Sequence, residues 1–163
     1  MAKGPSRNHT SHFAGASFDA VAIAASAGGL KALSAVLSAL PAEFPAAAVV
    51  QHVDPRHRSL MAAILSRRTV LTVKEAEEGD RLRPATVFIA PPNRHLLVNA
   101  DGTLSLTSSE LVHFVRPSAD LLFESVAANY KERAIAIVLT GTGSDGSMGV
   151  QAIRKMGGTV IRG

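Results

Sequence analysis

Short, continuously hydrophobic runs alternate along the chain with segments whose hydrophobic residues recur every three or four positions. The runs at residues 18–25, Ala46–Gln51 and Ala134–Leu139 lack polar alternation, which predicts strands buried on both faces. Between the first two runs, hydrophobic residues lie at the spacing of one helical face: Leu30, Leu33, Val36, Leu37 and Leu40. This alternation of strand and helix predicts an α/β fold.

Shorter patterns complete the predicted order of elements. A helix capped by Ser59 is expected to end near Arg67 and Arg68, another to begin with Pro117 in its first turn, and a last one to occupy 147–156. Additional strands are predicted at 70–73, 86–90 and 159–161, and a hairpin from 96–99 and 103–107. We expect a doubly wound, mainly parallel sheet with helices on both faces and an antiparallel hairpin insertion.

The length of 163 residues suits one domain. Residues 1–17 combine Gly, Pro, Ser and Asn and are predicted to form a flexible tail ahead of a catalytic domain at 18–163. No apolar run approaches ~20 residues, and the start lacks the apolar stretch of a signal peptide. We therefore expect a cytoplasmic protein without membrane insertion.

Composition removes several classes of function. The absence of cysteine excludes disulfides, thiolate metal sites and cysteine nucleophiles, and is typical of a reducing compartment. Aromatic residues make up 4% with no Trp, too few for a surface that stacks single-stranded nucleic acid. The net charge of +4 is not gathered into one dense patch, so we expect no nucleic-acid partner.

Three loops that follow the long predicted strands carry three different polar residues, Ser26, His52 and Asp145. Open parallel sheets place their sites in such loops. A histidine base, a serine nucleophile and an orienting carboxylate form an acyl-transfer triad. Each residue alone has an ordinary structural interpretation as a helix cap, a loop contact or a turn residue. Their coincidence at one sheet edge favours a serine hydrolase.

Small residues beside these side chains would let a substrate approach the backbone. Ala27 and Gly28 precede a predicted helix whose first N–H groups could hold an oxyanion. Thr142 and Gly143 lie in the loop that contains Asp145. These four residues are the candidate oxyanion and substrate loops.

Two other patterns in the same loops allow different chemistry. Residues 141–146 match G-x-G-x-x-G, but Asp145 inside the motif would repel a pyrophosphate, and the chain ends before the expected ribose-binding acid. His52, Asp54 and His57 could ligate a metal, but they are few and their geometry is undefined. We expect no nucleotide, metal or organic cofactor.

Five motifs follow one another along residues 18–163: AIAASAGG at 22–29, VQH at 50–52, APPNRH at 90–95, RPSADLLF at 116–123 and LTGTGSDG at 139–146. Together they resemble the catalytic domain of the CheB-type protein-glutamate methylesterase of bacterial chemotaxis. Ala24 stands where that family usually has Gly, and Thr142 where Met is common.

The resemblance implies a hydrolase that removes methyl esters from glutamate side chains of chemoreceptors and releases methanol, with glutamine deamidation as a related reaction. It matches Ser26 to the nucleophile, His52 to the general base and Asp145 to the orienting acid, without a cofactor. The implied partners are the methylated cytoplasmic helices of chemoreceptors, with a receptor methyltransferase as a further candidate. Oligomeric state is left open.

Two expectations about the ends of the domain lead to an alternative to the active hydrolase. We expect no receiver domain within residues 1–17. The resemblance implies a domain that continues beyond the last predicted strand, so we expect this one to be truncated at its C-terminus. A catalytically inactive module of the same fold, binding receptors or a methyltransferase, is therefore the competing hypothesis.

Overall fold

The computed structural model describes residues 18–26, 29–51, 60–112, 116–139 and 145–163, so the predicted tail at 1–17 lies outside the described residues. The strands are β1 (Ala20–Ala25), β2 (Ala46–Gln51), β3 (Thr72–Glu75), β4 (Thr86–Ile89), β5 (His95–Val98), β6 (Leu104–Thr107), β7 (Ala134–Leu139) and β8 (Thr159–Arg162). The helices are α1 (Leu30–Ser38), α2 (Met61–Ser66), α3 (Ala119–Tyr130) and α4 (Ser147–Lys155).

Six strands form one sheet in the order β3-β4-β2-β1-β7-β8, with every neighbouring pair parallel. Strands β5 and β6 form a separate antiparallel hairpin. The predicted fold class is confirmed. In the centre of the sheet, Ala20 of β1 is in register with Ala46 of β2 and Ala134 of β7.

Alternate residues of β1 face two hydrophobic cores, one on each side of the sheet. Ala22 belongs to the core that also contains Phe123 of α3 and Ile153 of α4. Ile23 belongs to the opposite core, with Leu33 of α1. Because both faces are covered, β1 can be hydrophobic throughout, and all six of its residues are buried.

The boundary predicted for β3 is wrong by two residues. Val70, placed in the strand by its hydrophobic pattern, is 74% exposed, and pairing runs instead from Thr72 to Glu75. β3 lies at the edge of the sheet, where charged residues are tolerated and hydrophobicity marks the strand poorly.

The predicted start of α3 is also wrong. Ser118 has extended dihedral angles (φ −108°, ψ 128°) and its Oγ accepts a hydrogen bond from Leu121 N–H, so Ser118 is the N-cap. Pro117 therefore precedes the cap instead of occupying the first turn. For α2, the N-cap is Leu60 without a side-chain hydrogen bond, and Ser59 lies outside the described residues.

Helices α3 and α4 pack closely because Gly149 faces α3. A Cβ at this position would lie 2.5 Å from Cβ of Phe123, well inside any normal contact. The Gly149 N–H donates to Oδ1 of Asp120 at 2.7 Å. This contact holds α4 against the N-terminal turn of α3.

The carboxyl ends of β1 and β7 lie side by side at the middle of the sheet. Helix α1, which follows β1, packs on one face, while α4, which follows β7, packs on the other. The segments that follow these two neighbouring strands turn to opposite faces of the sheet and leave a crevice between them at the carboxyl edge. Binding and catalytic sites in such sheets usually lie in this crevice. Within the described ranges, no helix is both long enough and apolar enough to span a membrane.

Candidate active site

Ser26 directly follows β1 and is half-buried at the crevice. Its carbonyl oxygen accepts hydrogen bonds from Gly29 N–H at 2.8 Å and from Nε2 of Gln51, at the end of β2, at 3.4 Å. The first bond is a turn that leads into α1, so Ser26 lies just ahead of a helix N-terminus. The positive end of a helix dipole favours negative charge that develops there.

Asp145, half-buried, lies after β7 and before α4. Its Oδ2 accepts from Ala119 N–H at 2.8 Å, and its Oδ1 accepts from Oγ of Ser118 at 3.0 Å and from Asp120 N–H at 3.3 Å. The carboxylate therefore caps the N-terminus of α3, where its negative charge is stabilised. A carboxylate held in this way has the fixed orientation that an orienting acid needs.

The buried side chain of His95 helps to hold Ser118, which contacts the Asp145 carboxylate. The Nδ1 of His95 accepts the Ser118 N–H at 3.1 Å, so the ring proton must be on Nε2, which donates to the Glu110 carbonyl at 2.9 Å. Both His95 and Ser118 have no exposed surface. His95 is a structural residue in its neutral form, linking the hairpin to the cap of α3.

Arg116 joins two loops at the same edge of the sheet. Its Nε donates to Oδ1 of Asn93 at 3.0 Å, and its Nη1 donates to the Ser109 carbonyl at 2.8 Å. Asn93 has a positive φ of 62°, in the left-handed region that Asn tolerates better than most residues. The loop after β4 is thereby held to the segment that leads into α3.

The structure places Ser26 directly after β1, and Asp145 just before α4 with its carboxylate at the N-terminus of α3. The remaining predicted site residues lie outside the described residues: His52, Ala27, Gly28, Thr142 and Gly143. The same holds for Asp54 and His57 of the metal hypothesis. Among the residues that the structure describes, no group of three or more metal-ligating side chains could hold an ion.

Sequence reasoning assigned no role to Ser118 or His95. Both lie inside motifs that carried the family resemblance, RPSADLLF and APPNRH. Ser118 contacts His95 and Asp145, which are 23 and 27 residues away along the chain. Local sequence patterns do not reveal such distant contacts, so the motif matches were the only signal in the sequence that included these residues.

A cavity of about 590 Å³ opens at the carboxyl ends of β3 and β4, two strands away from β1. Its lining includes Glu75, Glu77, Glu78 and Arg94. β4 neighbours β2, the strand that precedes His52, so the cavity lies at the same carboxyl edge of the sheet as Ser26 and is displaced from it along that edge.

The fold and this edge define a class: a parallel α/β domain with a serine and a helix-capping carboxylate at its topological switch point. The family model described as CheB methylesterase matches residues 21–162. The chain belongs to the CheB methylesterase family, and the predicted resemblance is confirmed.

The chain is also similar in sequence to individual proteins named as methylesterases. A protein-glutamate methylesterase/protein-glutamine glutaminase from Symbiobacterium thermophilum is 42% identical over 142 residues, which cover 86% of this chain and 39% of that protein. Protein-glutamate methylesterase FrzG of Myxococcus xanthus is 43% identical over 142 residues, covering 86% and 42%. This chain thus spans about two fifths of those relatives, whereas it spans 75% of a Leptospira interrogans relative that is 39% identical.

A solved structure shows the same fold. The crystal structure of the Thermotoga maritima CheB methylesterase catalytic domain superposes with a TM-score of 0.83 at 37% identity, covering 88% of this chain and 78% of that one.

Proposed function

We propose that residues 18–163 form a serine hydrolase domain that removes methyl esters from glutamate side chains of chemoreceptors. Ser26 is the nucleophile, His52 the general base and Asp145 the orienting acid. The observation that most directly supports the proposal is membership of the CheB methylesterase family, together with Ser26 directly after β1 and an Asp145 carboxylate held at the N-terminus of α3.

The reaction proceeds through an acyl-enzyme. His52 takes the proton of the Ser26 hydroxyl as Oγ attacks the ester carbonyl. The tetrahedral intermediate collapses, and the leaving methoxide takes that proton from His52 and departs as methanol. His52 then deprotonates a water molecule that attacks the acyl-enzyme. Collapse of this second intermediate returns that proton to Ser26 and releases the glutamate side chain, whose carboxyl group loses its remaining proton to solvent.

Asp145 fixes the imidazole tautomer and stabilises the imidazolium that forms in each half of the reaction. The oxyanion is held by the loop that contains Ala27 and Gly28, next to the N-terminus of α1, and by the loop that contains Thr142 and Gly143. Preorganised N–H donors of this kind contribute roughly 3 kcal/mol each to stabilisation of the transition state.

The same acyl-enzyme chemistry accounts for glutamine deamidation, with ammonia as the leaving group in place of methanol. Several relatives are named for both activities. We place the domain in the cytoplasm, with the methylated cytoplasmic helices of chemoreceptors as substrates and a receptor methyltransferase as a candidate partner. No feature of the described residues favours the inactive binding module.

The test is methanol release from membranes that contain methylated chemoreceptors, measured with and without EDTA. The proposal predicts release that EDTA does not change, because the reaction needs no metal. Release that EDTA abolishes would support the metal hypothesis of His52, Asp54 and His57. Stable receptor binding without any release would support the inactive module.

A further inference from the structure

We propose that Ser118 is a positioning residue for this hydrolysis: its hydroxyl orients the Asp145 carboxylate, and it acts only through that carboxylate. The inference rests on the proposed function, because it gives Ser118 a role in the reaction that Ser26, His52 and Asp145 perform.

The hydrogen-bond chemistry fixes the direction of the contact. An ionised carboxylate has no proton to give, so the Ser118 hydroxyl must donate to Oδ1 of Asp145, at 3.0 Å. The same Oγ accepts from Leu121 N–H at 3.4 Å. The hydroxyl proton is thereby directed towards Asp145, and its rotation is restricted by the cap.

The Ser118 hydroxyl makes the shorter of the two described contacts on this oxygen. The other donor to Oδ1, Asp120 N–H, is 3.3 Å away, while Ala119 N–H holds Oδ2 at 2.8 Å. Without the hydroxyl, Oδ1 would lose the shorter of these two contacts, and the carboxylate would be oriented less tightly. Because the lone pairs of Asp145 must point at His52, a small rotation of the carboxylate misdirects the base.

The backbone of Ser118 is held by a contact from outside the helix it caps, in addition to its contact with that helix. Its N–H donates to the buried ring of His95, whose other nitrogen donates to the Glu110 carbonyl. The position of the hydroxyl is thus set by the hairpin and by α3 together. Such support from neighbouring residues is what holds a reactive group within the tolerance of catalysis.

The burial of Ser118 distinguishes a positioning role from direct contact with the substrate. Ser118 has no exposed surface, so it cannot contact a receptor helix. Its removal should therefore lower kcat and leave KM unchanged.

The experiment is a double-mutant cycle of Ser118→Ala and Asp145→Ala on methanol release, with tritium-labelled methyl groups so that residual activity can be counted. Ser118→Thr is the matched variant that keeps the hydroxyl. Thermal unfolding of each variant sets an assay temperature at which all are folded, so lost stability does not count as lost activity.

We expect Ser118→Ala to lower kcat roughly tenfold or more with KM unchanged, and Ser118→Thr to recover most of the loss. In the Asp145→Ala background, Ser118→Ala should change kcat by less than about twofold, since the two act as one unit. Independent effects that multiply in the double variant, or a loss confined to KM, would overturn the inference alone. Methanol release that survives Ser26→Ala would overturn the proposed function, and this inference with it.

Discussion

The guanidinium of Arg133 donates two hydrogen bonds to Asp19, from Nε at 2.6 Å and from Nη2 at 2.9 Å. The Asp19 N–H donates in return to the Arg133 carbonyl at 2.9 Å. These residues are 114 positions apart and lie just before β1 and β7, the two strands whose carboxyl ends carry the proposed site. The hydrogen bond with Asp19 raises the pKa of the Arg133 guanidinium, so the pair remains ionised.

Arg133→Met should destabilise the fold because Asp19, which has no exposed surface, would lose both hydrogen bonds from the guanidinium. We expect a loss of about 2–3 kcal/mol in the free energy of unfolding, below the usual cost of a broken buried pair because the Arg133 side chain is 27% exposed. Urea unfolding measures it. Arg154→Met, at an exposed position of α4, is the control; an equal loss in both variants would contradict the assignment.

Gly149→Ala should force α3 and α4 apart, since the new Cβ would overlap Cβ of Phe123. Overpacking of this kind costs about 1–3 kcal/mol of stability. It should also lower esterase activity, because α4 leads directly from Asp145. Thermal unfolding and methanol release provide the two measurements. Gln151→Ala, exposed on the same helix, should leave both unchanged.

The carboxylate of Asp80 organises the turn after β3. It accepts hydrogen bonds from Glu77 N–H at 2.9 Å and from Nζ of Lys74 at 3.1 Å. Burial raises the pKa of Asp80, but the hydrogen bonds from Glu77 and Lys74 and the Lys74 charge outweigh it, so the pKa lies below its ordinary value.

A carboxyl whose pKa is lower in the folded state contributes stability above its unfolded pKa and loses it as the pH falls through the folded one. Asp80→Asn should therefore destabilise the protein at pH 7, and the difference from wild type should shrink as the pH falls below about 4. Unfolding free energies across that range test this. A pH-independent difference for Asp80→Asn would rule the linkage out.

The pH dependence of hydrolysis tests His52 as the base. Only the neutral imidazole can accept the Ser26 proton, so activity should rise through the range in which an ordinary histidine loses its proton, about pH 6–7. Initial rates of methanol release from pH 5 to 8 give the profile. A flat profile would exclude His52 from this role.

The sheet was predictable because its central strands are buried on both sides. Ala46–Gln51 and Ala134–Leu139 were predicted to the residue, since a short, continuously hydrophobic run is typical of a strand covered on both faces. The edge strand β3 was misplaced because exposure on one side removes that signal. Pro117 was wrongly predicted to lie in the first turn of α3, because the capping role of Ser118 depends on contacts made only in the folded chain.

The site was predictable in part for a similar reason. Ser26 and Asp145 follow hydrophobic strands, and a parallel sheet gathers such loops at one edge. The support of Asp145 by Ser118 and His95 joins separate segments, and spacing along the chain cannot reveal it. The roles proposed for all the site residues remain predictions: Ser26, His52, Asp145, Ala27, Gly28, Thr142 and Gly143.

Methanol release from methylated chemoreceptor membranes, compared between wild type, Ser26→Ala and Ser38→Ala, decides whether Ser26 is the nucleophile. Ser38 is an exposed serine whose hydroxyl donates to the Ala35 carbonyl within α1, and serves as the matched control. We predict that Ser26→Ala lowers the rate by roughly 10³-fold or more while Ser38→Ala leaves it unchanged. Release from a folded Ser26→Ala variant at the wild-type rate would contradict the proposed hydrolysis.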